Sequence, residues 1–380
     1  MAKNIILYAL LTLYLLLSVF VFSLVDIPLY NEIFNPLIWI IICGVAIYLS
    51  KDESLRVKDE RNKTQSLIIA LIIYVIVYFL LGLIFGFQKT PYAKDIGNIL
   101  RNIWSFGSII FFQEIVRNSI IRIEKNKKIN YVMVTIFFIL VNASLSSIGS
   151  HYLNLKDAFT YTTSVFIPLI VTNGVLTYLA YIGGAKLPII YRLFMTIPGF
   201  IVPILPDFDW FITAVLGITV PLAIFIYLNY IHVNKIERLS RRARANYNPK
   251  AYIPVFVIIG LAVGFVIGLF KYQPIAVLSG SMSPTFNRGD AVIVKKLNKS
   301  EKDELKKGDV IQFVSGTKYV IHRIYSITND EYGNKVFITK GDANNAVDGN
   351  KTSIDQVIGK ASCYIPYVGY PSVWLSGIVS

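Results

Sequence analysis

"AVLSGSMSPTFNRGD", residues 276–290, is the stretch from which both the fold and the chemistry of this chain can be approached. It lies just beyond Lys271, where long apolar runs give way to short alternating runs separated by Gly, Asp and Asn. Alternating runs bounded by turn residues are typical of β-strands. We therefore predict a mainly β domain over residues 272–380. Its predicted strands are 291–297, 309–314, 319–327, 335–340 and 357–365.

The chain before this stretch has the composition of a membrane protein. Of the 380 residues, 54% are hydrophobic and 16% are charged, which does not fit a soluble protein. A helix of about 20 apolar residues crosses a bilayer. Windows of that length predict about nine spans, or seven or eight if the interrupted runs 102–121 and 187–205 are discounted. The runs are 5–25, 34–50, 66–87, 102–121, 130–148, 162–183, 187–205, 210–231 and 251–270.

These patterns predict three regions. Residues 1–250 form a polytopic α-helical membrane region of unassigned role, residues 251–271 form a transmembrane anchor, and residues 272–380 form the β domain. The first apolar run follows Lys3 but is too long for a signal peptide and lacks a small-x-small cleavage site. We expect it to be a retained anchor.

The net charge of +14 is concentrated between the predicted spans. Residues 272–380 hold 13 Lys and Arg against 10 Asp and Glu, so +11 of the charge belongs to the membrane part. With nine spans and Lys3 inside, every basic cluster falls on the cytoplasmic side, as the positive-inside rule requires. We therefore expect no nucleic-acid partner and an extracytoplasmic β domain. The clusters are 51–63, 122–128, Lys186 with Arg192, and 235–244.

The β domain holds the components of a nucleophilic site. Of three histidines, only His322 shares this domain with Ser281. A serine hydroxyl needs a base to take its proton, and a carboxylate usually orients that base. Gly280 allows tight backbone geometry beside Ser281, where free amide N–H groups of the loop are candidate oxyanion donors. The carboxylate is Asp342 or Asp348, and spacing does not choose between them. With Cys43 in a span and Cys363 in the tail, we expect no metal and no cofactor.

Each of these residues also has an ordinary structural interpretation. His322 lies on a strand face with apolar neighbours, where a histidine is often a satisfied core residue. The segment around Ser281 has the composition of a common Ser/Gly loop. Asp342 follows a glycine and Asp348 precedes one, which is typical of turns.

Five ordered motifs carry a family resemblance. "VLSGSMSPTFNRGD", "GDVIQF", "YVIHRI", "ITKGDANNAVD" and "IGKASCYIPYVG" occur in the order found in type I signal peptidases of the endoplasmic-reticulum and archaeal kind. The resemblance covers about residues 251–371. It implies a membrane-anchored β peptidase domain that removes N-terminal signal peptides from secreted preproteins.

The resemblance also implies roles for single residues. Ser281 matches the nucleophile, His322 the general base, Asp348 the acid of the triad and Asp342 a second required aspartate. Ser279 matches a side-chain donor of the oxyanion hole, and Met282 belongs with it to the expected oxyanion and substrate-binding loop.

Three departures limit what the resemblance implies. Ser283 stands where many relatives have Glu, and Ala343 lengthens the turn that carries both aspartates, which leaves their division of labour open. The family needs one or two spans, whereas this chain has some 250 residues before its last predicted span. We expect those residues to lie in the lipid bilayer and to contact other membrane proteins.

The expected location follows from the position of the loop. Ser281 comes about ten residues after a predicted span that ends near Phe270. A signal peptide lies in the bilayer with its cleavage point near the outer surface, so we expect a multi-pass protein of the cell membrane.

One alternative is a transporter or channel with an inactive accessory β domain, because Glu114 and Arg117 lie within a predicted span. A soluble self-cleaving repressor-type peptidase with a lysine base fits less well, given the spans and His322.

Overall fold

The structure, a computed structural model of the full chain, divides into two compact units, Met1–Pro249 and Lys250–Ser380. The predicted anchor over 251–271 lies outside the described residues except at positions 264, 270 and 271. His151 lies outside them as well. The structure describes residues 2–20, 30–53, 57, 59–124, 128–143, 152, 154–236, 264, 270–316, 318–370 and 372–373.

The N-terminal unit is helical because its apolar runs contain few residues that interrupt a helix. Its one described sheet is a pair of three-residue antiparallel strands, β1 (Phe87–Lys89) and β2 (Ile204–Pro206). Single π-helical turns precede the second, fifth and eighth helices. The helices are α1 (Ala2–Phe20), α2 (Asn35–Ser50), α3 (Glu60–Phe85), α4 (Ile96–Asn102), α5 (Ser108–Ile123), α6 (Lys128–Asn142), α7 (Leu155–Tyr161), α8 (Ile167–Gly183), α9 (Lys186–Ile201) and α10 (Trp210–Ile236).

The predicted count of nine spans is not supported. Among the described residues, four helical segments are long and apolar enough to cross a membrane, and two apolar helices are shorter. The run at 102–121 fails because Glu114 and Arg117 interrupt it, and α9 ends at Ile201, two residues before Pro203. The sequence windows counted apolar runs without regard to helix ends. The four segments are Glu32–Ser50, Glu60–Phe85, Asp157–Gly183 and Trp210–His232.

Large apolar side chains cover the outside of these helices. Along α3, Ile76 is 55% exposed, Leu80 55% and Leu83 74%. In a water-soluble protein, apolar patches of this kind mark a surface that contacts another molecule or a membrane. The exposed face of α3 therefore fits a helix surrounded by lipid.

The second unit contains one antiparallel sheet of seven strands in the order β3-β4-β9-β5-β6-β7-β8. All five predicted strands are present, with ends that differ from the predictions by at most two residues. The strands are β3 (Tyr272–Ala276), β4 (Ala291–Lys296), β5 (Val310–Ser315), β6 (Lys318–Asn329), β7 (Lys335–Lys340), β8 (Thr352–Ser353) and β9 (Val357–Ile365).

Four elements of this unit were not predicted, one of them a 3₁₀ turn at Ile354–Gln356. β3 contains Pro274, which cannot donate to a sheet ladder, but β3 is an edge strand where proline is tolerated. β8 has two residues, too few to show alternation. A five-residue helix, α11 (Lys299–Asp303), begins at a capping box between Asn298 and Glu301.

The loop between β3 and β4 is closed at its base and attached by its apolar residues. The backbone N–H of Val277 donates to Asp290 O at 2.9 Å, and that of Gly289 donates to Val277 O at 3.0 Å. Burial of its side chains removes apolar area from water and fixes the loop against β4. The cluster that results consists of Val277, Met282, Phe286, Val292 and Val294.

β4 and β9 approach each other so closely at Gly359 that a larger residue there is expected to destabilise the unit. A Cβ atom at Gly359 would lie 2.4 Å from the backbone O of Lys295 and 2.6 Å from Cγ1 of Val294. Backbone must shift to admit it, so Gly359→Ala is expected to lower the free energy of unfolding of this unit by about 1–3 kcal/mol. Resistance of residues 272–380 to proteolysis during heating of the full-length protein measures the effect.

Gly349→Ala is the matched control for that change. No atom lies within 4 Å of a Cβ at Gly349, so this variant is expected to match or slightly exceed the stability of the unsubstituted protein. Equal melting of the two variants would contradict the packing described for β4 and β9.

Candidate active site

Three side chains of the second unit form one hydrogen-bonded relay. His322 Nδ1 lies 2.6 Å from Asp348 Oδ2, and His322 Nε2 lies 3.2 Å from Ser281 Oγ. A carboxylate only accepts hydrogen bonds, so Nδ1–H donates to Asp348 and the Nε2 lone pair is left to face the hydroxyl. In this tautomer the imidazole is placed to accept the proton of Ser281.

His322 is held in the middle of the sheet. It lies in β6, opposite Ile311 of β5, and is 9% exposed. The ring of Phe313 packs edge-on to the imidazole, with 6.4 Å between ring centroids. Packing on the strand restricts the ring, while its two nitrogens are both used by polar partners.

Asp348, and not Asp342, is the carboxylate that meets His322. Its backbone N–H donates to Thr339 O at 2.8 Å, and the Thr339 hydroxyl donates to Asp348 Oδ2 at 2.6 Å. Thr339 is fully buried in β7. Both the backbone and the side chain of Asp348 are thereby hydrogen-bonded to β7. The sequence alone did not show which aspartate of this turn would be held in this way.

Ser281 lies partly buried in the loop between β3 and β4. Its carbonyl accepts the N–H of Ala343 at 2.9 Å, and a Cβ at Gly341 would lie 2.6 Å from the same oxygen. The turn that carries Asp348 is therefore in direct contact with the backbone of Ser281. Ser279 Oγ lies 3.3 Å from Ser281 Oγ on the exposed side of the loop.

Met282 occupies a different position from Ser279. Its side chain is 1% exposed and packs in the apolar cluster beneath the loop. Only its backbone remains available toward the site. Among the described residues, the backbone N–H groups of Ser281 and Met282 have no hydrogen-bond acceptor.

Asp342 belongs to a second polar network beside the relay. Arg323 donates to Asp342 through Nε at 2.8 Å and through a terminal nitrogen at 2.6 Å. The Thr285 hydroxyl donates to Asp342 at 2.5 Å, and Arg323 also donates to Gly308 O at 2.9 Å. The Arg323 hydrogen bonds hold the pKa of the Asp342 carboxyl below its ordinary value, and the Thr285 hydrogen bond lowers it further.

The members of the second network lie close in sequence to the members of the relay. Thr285 lies in the loop of Ser281, Arg323 follows His322 directly, and Asp342 begins the turn that ends at Asp348. Each of its members is thus attached to an element that carries one member of the relay. From these contacts we infer that Asp342 holds the three elements together.

Sequence reasoning missed several residues that position the site. No sequence motif predicted a role for Thr285, Arg323 or Thr339. The one available hint was that Arg323 directly follows His322. Asp290 is only the last residue of the stretch 276–290 in the sequence, yet it is 5% exposed and accepts the backbone N–H groups of Asn287 at 2.8 Å and Tyr367 at 3.2 Å. Its contacts join the Ser281 loop to the turn after β9, which no sequence spacing predicts.

Within the part of the chain that the structure describes, no group of three or more His, Cys, Asp or Glu side chains is placed to hold a metal ion. The groups that the structure brings together at this site are a hydroxyl, an imidazole and a carboxylate. A serine, a histidine and an aspartate hydrogen-bonded in this order form the arrangement of serine hydrolases.

Comparison with known proteins specifies the class further. Residues 250–359 match the family described as signal peptidase, peptidase S26. The catalytic subunit SEC11 of the signal peptidase complex of Zygosaccharomyces rouxii is 34% identical over 125 residues, which are 30% of this chain and 72% of that protein. The chain therefore belongs to the signal peptidase family, and the resemblance found in its motifs is confirmed.

Two other relatives are similar over shorter stretches. The catalytic subunit SEC11C of the human signal peptidase complex is 34% identical over 109 residues, 26% of this chain and 55% of that protein. Signal peptidase I W of Bacillus subtilis is 41% identical over 90 residues, 23% of this chain and 46% of that protein. The chain spans about half the length of these relatives.

The ion pair of Asp342 predicts a dependence of stability on pH. Because folding lowers the pKa of Asp342, the pair stabilises the fold above the ordinary aspartate value of 3.8 and loses its effect as pH falls through the lower folded value. Asp342→Asn is expected to reduce the free energy of unfolding by about 1–2 kcal/mol at neutral pH, a range discounted because Arg323 is partly exposed. The difference is expected to shrink in acid.

Calorimetry of the full-length protein between about pH 3 and pH 7 measures this difference. Asp355→Asn changes an exposed aspartate of the same unit and is the matched control, expected to leave the melting curve unchanged. A constant difference between Asp342→Asn and the unsubstituted protein across the whole pH range would contradict the role of the ion pair.

Proposed function

We propose that this protein is a membrane-bound serine endopeptidase that removes N-terminal signal peptides from secreted preproteins. The observation that carries the proposal is the relay of Ser281, His322 and Asp348 within the segment that matches the signal peptidase family. The relatives named above are a signal peptidase and two catalytic subunits of signal peptidase complexes. We extend the function in their names to this chain because residues 250–359 match their family.

The proposed reaction is an acyl transfer. Ser281 Oγ attacks the carbonyl carbon of the scissile bond while His322 Nε2 accepts the hydroxyl proton. The tetrahedral intermediate collapses as His322 returns that proton to the leaving amine, which departs with the mature protein. Water then attacks the acyl carbon while it loses a proton to His322, and His322 returns that proton to Ser281 Oγ as the signal peptide is released. Asp348 holds the imidazole in the required tautomer and stabilises its charged form.

The developing oxyanion has three donors within the same loop. The proposal assigns it to the backbone N–H groups of Ser281 and Met282 and to the hydroxyl of Ser279, 3.3 Å from the nucleophilic oxygen. Such donors stabilise the transition state more than the ground state. Asp342 supports this arrangement indirectly, through Arg323 and Thr285.

The proposed location is the cell membrane, with several helices crossing it and the β domain on the extracytoplasmic side. The four long apolar segments and the exposed apolar face of α3 support membrane insertion. The proposed sidedness rests on the proposed substrate, because the cleavage point of a signal peptide lies near the outer surface of the bilayer. The proposed partners are preproteins, the bilayer and other membrane proteins that contact the N-terminal helices.

A transporter with an inactive β domain explains the site less well. An accessory domain has no need of a histidine hydrogen-bonded to both a serine and a carboxylate, nor of a second network that holds the same three elements. The two functions make different predictions for one substitution. Ser281→Ala removes peptidase chemistry but leaves any transport through the helices intact.

Ser281→Ala is expected to reduce cleavage of a model preprotein by about ten-thousandfold or more, because no hydroxyl remains to form the acyl-enzyme. Ser279→Ala is expected to cost less, about a hundredfold, because it removes one of several oxyanion donors. Cleavage by purified full-length protein in detergent, followed by gel analysis and mass determination of both products, measures the rates.

Ser283→Ala is the matched control, since Ser283 lies in the same loop and, among the described residues, its hydroxyl makes no hydrogen bond to Ser281, His322 or Asp348. Its rate is expected to stay close to that of the unsubstituted protein. Undiminished cleavage by Ser281→Ala, or equal losses in all three variants, would rule out the proposed mechanism.

A further inference from the structure

The N-terminal unit contains a buried polar cluster that the peptidase chemistry does not use. Side chains from α5, α6, α8 and α9 meet inside the helical unit, where a membrane protein ordinarily buries apolar groups. Glu114 and Arg117 are both fully buried there. We call this group the polar core. Its members are Gln113, Glu114, Arg117, Asn142, Asn173, Thr177 and Arg192.

Arg117 has used all of its hydrogen-bonding capacity within the polar core. Its Nε donates to Glu114 at 2.8 Å, and a terminal nitrogen donates to the other oxygen of the same carboxylate at 3.3 Å. The terminal nitrogens also donate to Asn173 Oδ1 at 2.8 Å, Asn173 O at 3.3 Å and Thr177 at 2.9 Å. These five bonds match the five N–H groups of a guanidinium. Arg117 therefore fixes the helices and has no donor for a ligand.

Arg192 differs from Arg117 in both exposure and saturation. One terminal nitrogen donates to Glu114 and to Gln113, each at 2.8 Å, and the other donates to Asn142 at 3.2 Å. Among the described residues these three bonds leave its Nε–H and one terminal N–H without an acceptor. Its side chain is 17% exposed, so this edge of the guanidinium is accessible from outside the polar core.

The charges of the polar core do not balance. Two guanidinium groups face one carboxylate, and among the described residues Glu114 is the only carboxylate within salt-bridge distance of either arginine. A buried charge without a counter-charge is costly, and more so within a bilayer. The polar core therefore carries one positive charge in excess, at the arginine that keeps free donors.

We propose that the polar core binds a phosphate group through the outer edge of Arg192. The guanidinium fork matches two oxygens of a phosphate, and Gln113, whose carbonyl oxygen is occupied by Arg192, retains amide donors for a third. Lipid headgroups supply this chemistry in a membrane, and free phosphate supplies it in solution. The inference uses the proposed membrane location of the helices but none of the Ser281 chemistry.

Binding to purified full-length protein in detergent tests this proposal. The probes are phosphatidylglycerol, diacylglycerol with the same acyl chains as a control without phosphate, and inorganic phosphate. Native mass spectrometry measures occupancy, and the melting temperature of the helical unit gives a second readout. Measurements in about 1 M salt suppress attraction to exposed basic loops while affecting a buried site much less.

The unsubstituted protein is expected to bind phosphatidylglycerol or inorganic phosphate and to ignore diacylglycerol, and the responding probe identifies the source. Arg192→Gln is expected to bind that probe about tenfold more weakly or worse, because it loses a charge-assisted pair. Arg101→Gln is the matched control, since Arg101 is an exposed arginine of the same unit that pairs with Glu32. Its binding is expected to stay unchanged.

The proposal is overturned if the unsubstituted protein binds neither phosphate probe, or binds phosphatidylglycerol no better than diacylglycerol. Equal binding by Arg192→Gln overturns it too. If Arg192→Gln does not fold, Arg192→Lys replaces it, because lysine keeps the charge without the fork and is also expected to bind more weakly. Preprotein cleavage by Ser281 is a separate measurement, so its failure and the failure of this proposal are distinguishable.

Discussion

The hydrogen bond between His322 Nδ1 and Asp348, 2.6 Å long, is the interaction on which the candidate site depends. It determines which imidazole nitrogen carries the proton and therefore which one faces Ser281. Asp348 is itself held by Thr339, a fully buried residue of the sheet. The chemistry of an exposed loop is thereby tied to the interior of the β domain, where a side chain has little freedom to move.

Two networks share the work of holding three chain segments together. The relay joins the Ser281 loop, β6 and the turn after β7 through the side chains of the proposed reaction. The ion pair of Arg323 and Asp342 joins the same segments through groups that take no part in the proposed reaction, and the backbone contact of Ala343 with Ser281 adds a third tie. In the proposed reaction, side chains held in this way are already in place before substrate binds, and such preorganisation lowers the free energy of the transition state.

Much of the second unit was predictable because its strands alternate and its turns carry Gly and Asp. The edge strand β3 was not predictable, since Pro274 argues against a strand unless its edge position is known. The choice between Asp342 and Asp348 was equally out of reach, because it depends on which carboxylate Arg323 and Thr339 contact in the folded chain. In the helical unit, windows of hydropathy predicted more spans than the described residues support, because the windows counted apolar runs without regard to where the helices end.

The most direct test of the account is a double-mutant cycle on preprotein cleavage with His322→Ala, Asp348→Asn and both together. If Asp348 acts through His322, the double variant is expected to lose no more kcat/KM than His322→Ala alone, because the carboxylate has nothing left to orient. Losses that multiply in the double variant would show that the two residues act independently, and would contradict the relay.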